Sequence, residues 1–256
     1  MANLPISVSL NWKPLVVGFL VLIGCLYYFS GHLTSFFWKP KIAQAKTMLK
    51  TGYVKIGDVE NAIFYQRIIP ENAKLKVLFL HGQRFTSEDW KKINTLEFLA
   101  KKGFHVMAID LPTYGKSQQL QEPKSPSDKA KFLNDFMDKT DYNNAVLVVP
   151  SMSGSYAMPF IFEGENAKKL KGFVPVAPVG TDSFKDEVFK KLALPTMAVY
   201  GQNDNLSFVP GAIEKFKLIP NAEIKKIDNA GHACYLDSPG EFHSLMESFL
   251  KKLQKS

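Results

Sequence analysis

Cysteine is nearly absent from this 256-residue chain: there are two, Cys25 and Cys234. Cys25 lies within a long apolar stretch, so a bridge between them is not expected, and the redox compartment stays open. No C-x-x-C pair and no Cys/His ligand spacing occurs, which argues against a zinc site and leaves no metal expected. Internal repeats and low-complexity segments are also missing. The formal charge is +8, yet the lysines are scattered in pairs such as Lys91 with Lys92 and Lys190 with Lys191. Without a basic block or an aromatic-basic module, that charge reads as a solvated surface, and no nucleic-acid partner is expected.

A second absence is local. From Pro14 to Trp38 there is no Asp, Glu, Lys or Arg, and the centre reads LVVGFLVLIGCLYYF. A run of 25 uncharged positions is about what a helix needs to cross a bilayer's hydrocarbon core. Tyr27, Tyr28, Phe36, Phe37 and Trp38 cluster toward its C-terminal end, where aromatic rings favour the membrane interface. A cleaved signal peptide is the competing reading, but the best small-x-small site, Ala43 and Ala45, comes well after the apolar part. The expectation is a single-pass N-terminal anchor over 14–38, after a tail of 1–13 and before a linker of 39–52 and a domain over 53–256. Lys39, Lys41, Lys46 and Lys50 outnumber Lys13 across the span, which favours a cytosolic domain. A single glycosylation sequon, Asn205-Leu206-Ser207, falls beside a candidate catalytic acid.

What is present beyond residue 50 is a regular alternation. Strand-like runs occur at 53–57, 62–69, 76–82, 104–112, 145–150, 172–178, 195–201 and 222–230. The first two partly alternate apolar and polar residues, as half-buried antiparallel strands do. Later ones such as AVLVVP are continuously apolar, as in a parallel sheet covered on both faces. Helical patterns fall between them: 87–103 with Ser87 as N-cap, then 126–139, 155–164 and 238–253. A hairpin followed by repeated β-α units predicts an α/β fold with a mostly parallel central sheet flanked by helices.

Chemistry gathers at the carboxyl ends of such strands. SMSGS follows 145–150, and resembles the G-x-S-x-G turn on which a strained serine is exposed between strand and helix. With Ser151 and Ser155 in the small flanking positions, Ser153 falls at the apex, and the Gly154 N–H would face a developing oxyanion. Serine-rich turns are also ordinary helix caps, so the partners decide. Asp204 follows the strand over 195–200 and His232 follows the last strand, giving the order nucleophile, acid, histidine. An imidazole there can take the serine proton while the carboxylate fixes its tautomer. Asp182 and Asp186 are rival acids. The second oxyanion donor is expected from His81-Gly82-Gln83, through the Gln83 N–H. Cys234 lies two residues from His232 but reads as core filler, and His105 and His243 read as structural.

LHGQRFTSEDW, DLPTYGKS, NAVLVVPSMSGSYAMPF, YGQNDN and NAGHACYLDSPGEFH resemble the α/β-hydrolase domain-containing protein 14 family across most of residues 60–250. The resemblance implies the α/β-hydrolase fold and a triad of Ser153, Asp204 and His232. The apolar N-terminus makes the chain look like the membrane-anchored A branch rather than the soluble B branch. Anchored members are type II, with the domain outside the cytosol, which opposes the lysine count. Thr113 stands where the hydrolase pattern has glycine. Only the short segment TDSFKDEVFKKL is left for a lid, which points to a small acyl ester or amide as substrate, hydrolysed through an acyl-enzyme. The soluble branch is associated with passing acetyl groups from lysine to coenzyme A, which makes coenzyme A an alternative acceptor; otherwise no cofactor is expected. A non-catalytic binding protein on the same fold is the remaining alternative.

Overall fold

The computed structural model describes Leu20, Leu22, Ile23, Tyr27, Tyr28 and residues 48–56 and 62–255. Eight strands form one sheet: β1 Lys50–Lys55, β2 Ala62–Ile68, β3 Lys76–Phe79, β4 His105–Ile109, β5 Ala145–Pro150, β6 Leu170–Val176, β7 Met197–Gly201 and β8 Glu223–Ile227. Their spatial order is β1-β2-β4-β3-β5-β6-β7-β8. β2 pairs antiparallel with β1 and β4, and every later pairing is parallel.

The apolar runs explain the layering. In β5 all six residues are buried, because Leu147 and Val149 face one side of the sheet and Val146 and Val148 the other. A strand alternates its side chains between faces, so only a sheet covered on both sides buries a continuous apolar run. One cover holds α3 (Pro126–Thr140), α4 (Gly154–Phe162), α5 (Asp186–Lys191) and α6 (Val209–Lys217), which contribute Phe136, Phe160, Phe189 and Phe216. The other holds α1 (Ser87–Lys92), α2 (Thr95–Lys101), α7 (Cys234–Asp237) and α8 (Pro239–Leu253), with Trp90, Leu99, Phe242 and Met246.

The helix expected over 87–103 is two helices. Thr86, not Ser87, caps the first, in a box with Asp89. The chain then turns at Asn94, whose φ of 59° is left-handed, a conformation asparagine tolerates better than most residues. Ser87 instead gives its N–H to buried Asp110 Oδ1 at 2.7 Å, tying the loop after β3 to the loop after β4.

Chain contacts divide the molecule into units of Met1–Gln44 and Ala45–Ser256. The anchor expected over 14–38 lies almost wholly outside the described residues. Among the described residues no helix is long and apolar enough to cross a membrane. Leu20, Leu22, Ile23, Tyr27 and Tyr28 are helical and exposed.

Candidate active site

Ser151 follows directly on Pro150, the last residue of β5, and turns the chain with a φ of +50°. Left-handed backbone at a non-glycine residue is strained, and such strain concentrates at functional turns. Neighbouring structure holds it. The Ser151 carbonyl accepts the Val179 N–H at 3.0 Å. Gly154, which opens α4, packs so closely on the loop after β6 that a Cβ there would overlap the Val179 carbonyl oxygen and stand 2.9 Å from Pro178 Cβ. Only glycine fits at that crossing.

His232 reaches this turn from the loop after β8. Its Nε2 lies 2.7 Å from Ser151 Oγ, and its Nδ1 lies 2.7 Å from Asp204 Oδ2. The Asp204 side chain is fully buried, whereas that of His232 is 28% exposed. Asp204 Oδ1 also accepts the Leu206 N–H at 3.2 Å, so both carboxylate oxygens are engaged. A carboxylate on Nδ1 holds the proton there and leaves Nε2 free to accept from the serine hydroxyl.

The approach of the two loops depends on Gly201 at the end of β7. A Cβ there would overlap the carbonyl oxygens of Gly231 and Ala230. Asn203 N–H donates to Ala230 O at 2.8 Å, and Asp237 Oδ2 accepts the Gly231 N–H at 2.8 Å. The acid loop and the histidine loop are thus laced together by backbone.

The structure brings Asp204 and His232 together, and the serine hydroxyl it places against His232 is that of Ser151, not of Ser153 as read from the sequence. Ser153 is fully buried, and its hydroxyl donates to the Pro150 carbonyl at 2.8 Å. The frame is therefore Val149-Pro150-Ser151-Met152-Ser153, with Ser153 in the second small position. Gly154 is corrected with it: its N–H is directed to the carbonyls of Ser151 and Met152 and is not free for an oxyanion. Ser155 accepts from Lys129 Nζ at 3.4 Å. The rival acid Asp186 pairs with Lys215, which holds its carboxyl below the usual range, and among the described residues the carboxylate that bonds His232 is that of Asp204, not Asp182.

Gln83 stands where the sequence puts it, in the turn after β3. Gly82 touches the elbow: a Cβ on it would lie 3.5 Å from Ser151 Cβ. The Gln83 N–H has no hydrogen-bond acceptor among the described residues. Sequence reasoning missed how this turn is held. Buried His81 donates from Nδ1 to Gly82 O and accepts the Leu111 N–H at Nε2, both at 2.9 Å. Burial lowers its pKa, which keeps the ring neutral and this donor-acceptor pair intact. Its position, at a strand end two residues before Gln83, was the available signal. Cys234 is buried, and burial pushes its thiol up to about 12, so it is core filler as expected. His243 accepts or donates to Thr95 and stacks on Phe98, a structural role.

An eight-stranded sheet in this order, carrying a serine on the turn after β5 with an acid and a histidine after β7 and β8, defines the α/β-hydrolase class. The comparisons agree and go further. Protein ABHD14A of Rattus norvegicus is 37% identical over 193 residues, 75% of this chain and 78% of the relative. The Homo sapiens relative named "Putative protein-lysine deacylase ABHD14B" is 36% identical over 197 residues, 75% of this chain and 92% of its own length. The chain belongs to the ABHD14 family of α/β hydrolases. In fold it is similar to a "predicted CIB-like hydrolase" from Thermoplasma acidophilum, with a TM-score of 0.72, 21% identity, and coverage of 80% of this chain and 99% of that one. No family model matches the chain.

Proposed function

We propose that the protein is a serine hydrolase that cleaves a small acyl ester or amide through an acyl-enzyme on Ser151. The observation that carries this reading is the linear array of Ser151 Oγ, the His232 ring and Asp204, joined by two 2.7 Å contacts. His232 Nε2 takes the hydroxyl proton as Oγ bonds to the acyl carbon, and Asp204 stabilises the imidazolium that forms. The N–H groups of Met152, the residue after the nucleophile, and Gln83 receive the oxyanion. As the tetrahedral adduct collapses, the bond to the leaving group breaks and His232 Nε2 returns the proton to it. Water, deprotonated by the same nitrogen, then attacks the acyl carbon, releases the carboxylic acid and restores Ser151.

A small acyl group is supported by the segment after β6. It holds only a single 3-10 turn at Thr181–Ser183 and the six-residue α5. An amide substrate is supported by the deacylase name carried by the ABHD14B relative. Labelling of the full chain with a fluorophosphonate probe tests the assignment: Ser153→Ala should label, and Ser151→Ala should not. No Ser151-dependent labelling of folded protein would leave a binding protein on a hydrolase fold. Membrane attachment through 14–38 rests on the uncharged run alone. It predicts that the chain stays with the membrane pellet after alkaline carbonate extraction.

A further inference from the structure

Between the loop after β6 and the start of α6 lies a groove of about 390 Å³, lined by Val179–Asp182 on one side and by Phe208 and Lys215 on the other. That size suits a small organic group. Two of its walls touch the catalytic residues directly. Val179 donates its N–H to the Ser151 carbonyl, and the Phe208 ring stands edge-on to the His232 ring at 5.8 Å between centroids. Gly180 and Gly211 add no side chain, so access along the groove is open.

The position fixes which half of a substrate enters it. In the Ser151 reading the oxyanion points to the loop after β3, and the leaving group departs from the side of His232 Nε2, which protonates it. The groove adjoins His232 through Phe208, so it lies on the leaving-group side.

Its charge is lopsided. Lys215 is the one cation among the lining residues, and it is spent: its ammonium binds the Asp186 carboxylate and the Phe184 carbonyl. Asp182 is exposed at the rim and forms no ion pair or hydrogen bond among the described residues. An uncompensated carboxylate and an aromatic ring lining one groove are groups that recognise alkylammonium ions.

We propose that this groove receives the leaving-group half of the substrate and selects a cationic one, an alkylammonium, through Asp182 and Phe208. The inference rests on the Ser151 reading. It also sets the site against an acceptor rich in phosphate, whose charge would meet Asp182 with no unpaired lysine among the lining residues to offset it.

Two methylphosphonothioate esters test it, one with thiocholine and one with the uncharged, equally bulky 3,3-dimethylbutanethiol as leaving group. In each, Ser151 Oγ bonds to phosphorus as the P–S bond breaks, and the hydroxyl proton passes through His232 to the departing thiol. The adduct on the full chain is timed by intact mass. Thiocholine, the more acidic thiol, leaves faster at any site, and a single partly solvated charge adds about fivefold to that rate ratio at low salt. The ratio should fall about fivefold in Asp182→Asn and in 0.5 M salt (about 4 Å Debye length), and persist in Asp182→Glu. A ratio unmoved by Asp182→Asn or by salt overturns the inference and leaves the Ser151 reading standing. If neither ester modifies Ser151, the Ser151 reading itself fails and takes the inference with it.

Discussion

Ser151 Oγ and His232 Nε2 lie 2.7 Å apart although 81 positions separate the two residues. The contact requires a left-handed serine on one loop and, on the other, a backbone crossing that only Gly201 permits.

The first prediction separates the two serines. Ser151→Ala should lower kcat/KM for a p-nitrophenyl ester by about 10⁴-fold or more, since nucleophile removal leaves only binding and oxyanion stabilisation. Ser153→Ala keeps Ser151 in place and loses one buried hydrogen bond, to Pro150 O. That should cost about 1 kcal/mol of stability and leave hydrolysis within severalfold. Steady-state rates and urea titrations on both variants decide it, and the reverse ranking would return the nucleophile to Ser153.

The error over the serine shows how far the sequence could be read. All eight strands, their hairpin start and the positions of Asp204 and His232 follow from apolar runs and the chemistry at their ends. The elbow did not, because three serines at alternate positions fit the small-x-Ser-x-small pattern in more than one frame. The frame is set by where β5 stops, and β5 runs fully buried through Pro150, leaving Ser151 at the turn. The sequence also ends the strand at Pro150, but Val149 is not a small residue, so the pattern favours the frame in which Ser151 and Ser155 flank the apex, two residues late. The division of residues 87–103 was hidden for a different reason: Asn94 sits inside an otherwise sound helical period, and its left-handed turn is local. His81 was legible as a turn residue but not as a clamp, since its partner Leu111 lies on another strand's loop.

Asp204 is expected to matter through geometry rather than as a proton carrier. Asp204→Asn would present an amide to His232 Nδ1 and favour the tautomer with the proton on Nε2, where it cannot accept from Ser151. The expected loss in kcat is about 10³- to 10⁴-fold with KM little changed. Asp186→Asn removes only the surface pair with Lys215 and should stay within twofold. A large loss from Asp186→Asn with none from Asp204→Asn would sink the assignment.

Thr113 offers a stability test unconnected with the reaction. It stands where the hydrolase pattern has glycine, and its backbone is left-handed at φ +74°. A β-branched residue in that region is strained by about 1–2 kcal/mol, part of which glycine forfeits through its greater unfolded-state freedom. Thr113→Gly should therefore raise stability by roughly 0.5–1 kcal/mol, read as a higher urea midpoint at unchanged m-value. A lower midpoint would mean that the threonine side chain contributes more than its backbone costs.

The last prediction concerns pH. Burial, with Lys76 and Arg67 nearby, pushes His105 down to about 4, and burial also lowers His81 and His243. These rings stay neutral in the folded chain while the unfolded chain takes up protons near the usual histidine pKa of about 6.5. Between those values the unfolded state binds more protons, so stability is full above about 6.5 and falls as pH drops toward 4. His105 is only about half shielded, so its share is discounted to roughly 1–2 kcal/mol. Urea titrations at pH 7.5 and 4.5 should show the unaltered chain losing more stability than His105→Gln, which cannot titrate. Equal losses in the two proteins would show that His105 charges as readily in the folded state as in the unfolded one.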